Sequence, residues 1–166
     1  MEIVCFDTQV IVWGIKQKAT PGQEDMVAKA KFLIEQCKKE ETAILIPALV
    51  VAELLMPLPT EEYGTFTALL HKNFRVIPFD TRAAAIFANL WKDWQKKKNK
   101  LPDSFLSQAT RAEMKTDYMI IATALAQGAT CIYSEDRKLK KFAEEHLKVV
   151  GLPTTYEQRI LGYDDK

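Results

Sequence analysis

The feature that most constrains this chain is a repeated handover from a short, continuous apolar run to a longer stretch with helical periodicity. Ile3 to Phe6 and Ala43 to Pro47 are such runs, of strand length and too apolar to keep one face in water, and Phe74 to Phe79, Ala129 to Tyr133 and Leu147 to Leu152 read as further strands. Between the first two, Met26, Ala30, Phe32, Leu33 and Cys37 recur at helical spacing among lysines and acids. Leu49 to Met56, Tyr63 to His71, Ala83 to Trp94, a segment through Asp117 to Gln127, and Lys138 to His146 read as further helices. Strands buried on both faces and separated by helices form a mostly parallel sheet, because parallel neighbours need a crossover connection. The expected fold class is α/β, with a sheet of about five strands covered by helices on both faces.

The punctuation agrees with this reading. Val10 to Trp13 resumes the first apolar run, as a buried strand passing into a helix or turn would. Thr20-Pro21-Gly22, Pro57 and Pro59 are breaks, Asp80-Thr81 offers a helix N-cap, and Gly128 is a natural helix terminator. The basic, proline-containing stretch from Lys96 to Ser104 is expected to end the helix that carries Trp94. Residues 1–152 are expected to form one domain, and the polar segment 153–166 a partly ordered tail.

Composition supplies exclusions. With 166 residues, 48% of them hydrophobic, the chain has apolar material for one sizeable core. Its 23 Lys and Arg against 22 Asp and Glu leave a net charge of +1, so any basic surface is local. Cys5, Cys37 and Cys131 stand singly, without metal-ligand spacing, and read as reduced thiols, which implies a cytoplasmic protein. No secretory leader and no membrane-spanning run is legible.

In open parallel sheets ligands bind beyond the C-terminal ends of the strands. Asp7 ends the first apolar run and Asp136 follows the fourth, while Glu53 and Asp117 interrupt apolar helical stretches, in Val50-Val51-Ala52-Glu53-Leu54-Leu55 and Asp117-Tyr118-Met119-Ile120-Ile121-Ala122. A buried carboxylate costs several kcal/mol, roughly, unless it is paired or coordinates a metal. Gln9 stands where a haloacid-dehalogenase-like phosphatase would place its second Asp, and no phosphate-cradling glycine motif is present.

Phe6-Asp7-Thr8, Glu53 seven residues after Ile46, Asp117-x-x-Ile120-x-Ala122-x-Ala124 and Ser134-Glu135-Asp136 together resemble the successive motifs of PIN domains, over nearly the whole chain from Ile3 to about Val150. The resemblance implies a three-layer α/β/α fold and a pocket in which Asp7, Glu53, Asp117 and Asp136 hold Mg²⁺ or Mn²⁺, with Thr8 and Ser134 in support. It implies a metal-dependent ribonuclease similar to the toxin half of toxin-antitoxin pairs, with an antitoxin protein as partner and a homodimer as assembly. The rival reading is a PIN-like scaffold that binds RNA or a protein with little catalysis. Gln9, Pro47 and Val50 depart from the usual pattern, and none removes a carboxylate.

Arg111 and Lys115, within two turns before Asp117, are candidate contacts to substrate phosphates. Lys92, Lys96, Lys97, Lys98 and Lys100 are weaker ones, read first as a solvated helix end, and Trp91 and Trp94 read as a packing face.

Overall fold

The computed structural model of the chain describes residues 1–97 and 110–154. Five strands, β1 (Ile3–Phe6), β2 (Ala43–Pro47), β3 (Arg75–Ile77), β4 (Cys131–Tyr133) and β5 (Lys148–Val150), form one sheet in the order β3-β2-β1-β4-β5. Every neighbouring pair is parallel; Val4 lies opposite Ile44 on one side and Cys131 on the other. The α/β fold class stands. Connections in parallel sheets are right-handed, so the helices before β3 cover one face and those after it the other.

Those helices are α1 (Thr8–Ile11), which runs into a π-helical turn at Val12–Lys16, α2 (Glu24–Lys39), α3 (Ala48–Leu55) and α4 (Tyr63–Asn73), then α5 (Thr81–Lys97), α6 (Arg111–Ala126) and α7 (Arg137–Ala143). Their ends follow local chemistry. Asp80 Oδ1 accepts the Ala83 amide at 2.8 Å, the expected cap of α5. At the start of α6 the Thr110 hydroxyl accepts the Glu113 amide at 3.1 Å and the Glu113 carboxylate accepts the Thr110 amide at 2.6 Å. Gly128, at φ +73°, lets the chain leave α6 and enter β4.

The core is continuous from the strands, where Phe6, Leu45, Ile46 and Ile132 are fully buried, to Leu54, Ile120, Ile121 and Leu139 on the helices. α5, α6 and α7 share an aromatic seam in which Trp91 stacks on Trp94 at 4.7 Å and Tyr118 meets both Trp91 and Phe142. The two tryptophans are a packing face, as expected.

Val10 to Trp13 carries the chain from β1 into a helix, as expected, starting at Thr8 because Asp7 caps it. Some boundaries differ from expectation. The third strand is confined to Arg75–Ile77, and Phe74 instead closes α4, its amide donating to the Leu70 carbonyl at 2.8 Å. The fourth and fifth strands are shorter than their apolar runs, although Ala129, Leu147 and Leu152 are buried all the same. α5 extends to Lys97 rather than ending at Trp94, since lysines continue a helix readily. Lys98, Lys100 and the rest of the stretch to Ser104 lie outside the described residues, as does 155–166 of the expected tail; Thr154 is buried.

Candidate active site

The sheet reverses its winding at β1, which pairs with β2 on one side and β4 on the other, and a crevice opens beyond the C-terminal ends of β1 and β4. Asp7 stands there. Its amide donates to the Tyr133 carbonyl at 3.2 Å, which carries the β1/β4 ladder one residue past the strand. Its side chain caps α1, Oδ1 accepting the Thr8 amide at 2.7 Å, while Oδ2 accepts the Ser134 hydroxyl at 2.6 Å. Ser134, only 4% exposed, also accepts the Asp136 amide at 3.0 Å, and Asp136 Oδ1 accepts the Lys138 amide at 2.7 Å to cap α7. One chain of hydrogen bonds thus fixes Asp7, Ser134, Asp136 and the start of α7.

Glu53 arrives from the other side. β2 passes straight into α3, and the Thr8 hydroxyl donates to Glu53 Oε2, tying α1 to α3. α6 brings Asp117, with Glu113 and Thr116 on the same face of the helix, and Thr116 spends its hydroxyl proton on the Ala112 carbonyl at 3.2 Å. Asp7, Glu53, Asp117 and Asp136, from four separate elements, line one open cavity of about 430 Å³. A smaller cavity between α5, α6 and α7, about 130 Å³, contains none of them.

Crowding of like charges shows in the carboxyls. Asp117 is pushed up to about 7, first by burial and then by Asp136, Asp7, Glu53 and Glu113. Asp7 is also raised, chiefly by burial, with Glu53 and Asp136 adding to it and the Ser134 and Thr8 hydrogen bonds opposing. The donors on this wall are hard oxygens, which suit Mg²⁺, Mn²⁺ or Ca²⁺ and would be relieved of repulsion by one. Among the described residues no group of three or more His, Cys, Asp or Glu closes around one point, so an ion here would be held by fewer carboxylates, with waters completing its shell.

The PIN domain family model matches residues 4–145, a span that contains all four acids. The chain belongs to the PIN domain family. Its fold is similar to that of VapBC2 from Rickettsia felis, solved bound to a DNA fragment from their promoter, at TM-score 0.63 and 16% identity over 91% of this chain and 99% of that one. DNA-bound VapBC from Salmonella typhimurium gives TM-score 0.62 and 14% identity, covering 91% of this chain and 98% of its own. VapBC-1 from nontypeable Haemophilus influenzae gives 0.60 and 15%, over 90% and 97%. No curated protein matches the sequence. Among the described residues, no helix is long and apolar enough to cross a membrane.

Within this PIN domain the sequence-derived acids and Thr8 share the cavity, and Ser134 supports it from beneath. Arg111 and Lys115 are not in its lining; they lie over the Trp91 ring, 5.8 and 5.6 Å from its centroid. Lys96 pairs with Asp93 at 3.5 Å and Lys97 with Glu145, so these members of the lysine run are tied to neighbouring acids. Sequence reasoning passed over Glu113 and Lys138, which both line the cavity. Glu113 was within reach of it: it precedes Asp117 by four residues and so shares its helix face. Lys138 carried no such signal, because its place depends on how α7 is hung from Asp136.

Proposed function

We propose that this PIN domain is a divalent-metal-dependent ribonuclease that hydrolyses RNA phosphodiester bonds. The observation that carries the reading is the convergence of Asp7, Glu53, Asp117 and Asp136 on one cavity, with the Asp117 carboxyl driven to about 7 by burial and by the other acids. In this reading Asp7 and Asp117 are the main ligands for Mg²⁺ or Mn²⁺, and Asp136 serves a second or outer ion. When bound, the ion supplies an acidified water and charge stabilisation at the leaving oxygen. Glu53, steadied by the Thr8 hydroxyl, orients the attacking water. The Ser134 hydrogen bond opposes the upward push of burial on Asp7 and sets its direction. Arg111 and Lys115 contact phosphates of the strand outside the cavity.

The likeness of fold to VapBC proteins supports a further step, that this chain is the toxin of a toxin-antitoxin pair, acting in the cytoplasm as a homodimer until an antitoxin protein closes its groove. Expression of the gene alone, beside an Asp7→Asn control, tests that step; normal growth at proven high expression argues against a toxin.

The ribonuclease itself is tested by incubating purified protein with single-stranded and structured RNAs in Mn²⁺, Mg²⁺ or EDTA, beside Asp7→Asn and Asp117→Asn. Metal-dependent cleavage lost in both variants is the expected result. Absence of cleavage by folded protein, with no heat of metal binding, would point instead to a PIN scaffold that binds RNA or a protein.

A further inference from the structure

Among the described residues the cavity wall carries five carboxylates, those of Asp7, Glu53, Glu113, Asp117 and Asp136, and one cation, Lys138. A nucleic-acid strand brings a negative charge with every phosphate, so such a wall repels the substrate that the ribonuclease reading requires. Ions held by the acids relieve part of that repulsion, but they are engaged by the carboxylates. A protein cation inside the cavity has a different use.

We infer that Lys138 is the substrate-binding cation of this site, gripping a non-bridging phosphate oxygen of the strand at the cavity. The inference rests on the ribonuclease reading for its substrate class. Three observations carry it. The backbone of Lys138 is fixed, since its amide donates to Asp136 Oδ1 at 2.7 Å in the first turn of α7. The residue is half-buried and lines the cavity, and although its charge acts on Glu113 it makes no ion pair within 4.0 Å of any described carboxylate. The neighbouring cations do not enter the cavity: Arg111 and Lys115 rest over Trp91, outside the lining, where they can serve only phosphates beyond it, and Lys141 pairs with Glu144 at 2.9 Å. A lysine ammonium is a compact charge on a flexible stem, suited to following a phosphate as it settles.

The bland alternative is that Lys138 balances the carboxylates and never touches substrate. Steady-state cleavage of a single-stranded RNA oligonucleotide in Mn²⁺, as a function of salt, separates the two for wild type, Lys138→Met and Lys138→Arg, with Mn²⁺ affinity measured by calorimetry in each. The expected result is a KM raised about tenfold in Lys138→Met, a salt slope of log(1/KM) smaller by about one, recovery of most affinity in Lys138→Arg, and little change in Mn²⁺ affinity. An unchanged KM and salt slope, or a Lys138→Met effect confined to Mn²⁺ binding, overturns the inference while the ribonuclease stands. If wild type cleaves nothing, fluorescence anisotropy with the same oligonucleotide decides. Binding weakened by Lys138→Met upholds the lysine's role without hydrolysis, and no binding by wild type removes both.

Discussion

The Ser134 hydroxyl donates to Asp7 Oδ2 at 2.6 Å from a position 127 residues away in sequence, across the seam where β1 and β4 pair. Ser134 is buried, and the same oxygen accepts the Asp136 amide, so one side chain sets the relation between two of the cavity's acids. Replacing it by Ala removes the hydrogen bond that most opposes the upward push on Asp7. We expect Ser134→Ala to lose about 1–3 kcal/mol of stability in urea titrations, because a carboxylate oxygen and an amide are left unpartnered. Mn²⁺ affinity at neutral pH should fall with it, and Ser134→Thr should restore both. Wild-type stability and metal affinity in Ser134→Ala would mean that water replaces the hydroxyl without loss.

The order of strands and helices was legible because each apolar run is long enough to need burial, and the four acids were legible because each sits where a strand ends or a helix turns apolar. What was not legible depends on partners distant in sequence. Phe74 has strand propensity but ends α4, since the sheet edge is set by where β2 pairs, Pro47 opposite Ile77. Arg111 and Lys115 fall over Trp91 because α5 packs on α6, a contact between helices separated by a stretch whose length says nothing about their faces.

Gly14 gives a second test, of packing rather than chemistry. It lies in the π-helical turn against α2, where a Cβ would stand 2.6 Å from Ile34 Cδ1 and 3.5 Å from Ala30 Cβ. Gly14→Ala should force Ile34 Cδ1 aside and destabilise the domain by about 1 kcal/mol, the low end of overpacking costs, because only the end of that side chain has to move. Trimming the opposing side chain, as in Gly14→Ala with Ile34→Val, should recover part of the loss in a double-mutant cycle. Additive effects in that cycle would show that α2 and the turn do not press on each other here.

Cys5, Cys37 and Cys131 are free and buried, at 0, 5 and 7% exposure. Burial pushes the Cys37 thiol up to about 11 and raises Cys131, and it raises Cys5 most strongly. Thiolate is the reactive form, so the native protein should resist a disulfide reagent at neutral pH and release three thiols only on unfolding in guanidinium. Rapid labelling of one thiol in buffer would contradict its place in the core.

Asp117 supplies the pH test. Its carboxyl is raised from an ordinary value of 3.8 to about 7 in the folded, metal-free chain, first by burial. Between those values the folded state binds more protons than the unfolded one, so stability is greatest at the acid end of that window and falls as pH rises toward about 7. Asp7, also raised, adds a contribution of the same sign. Thermal melts in EDTA should therefore decline from about pH 5 to pH 7.5, and Asp117→Asn, which cannot ionise, should show a shallower decline and a higher melting temperature than wild type at the upper end. Adding Mn²⁺ at that pH should raise the wild-type melting temperature by binding the ionised carboxylates, and raise that of Asp117→Asn much less. Parallel pH profiles for the two proteins would mean that Asp117 is less buried, and lies further from the other acids, than the shared cavity implies, and would remove the electrostatic ground on which the metal-binding reading stands.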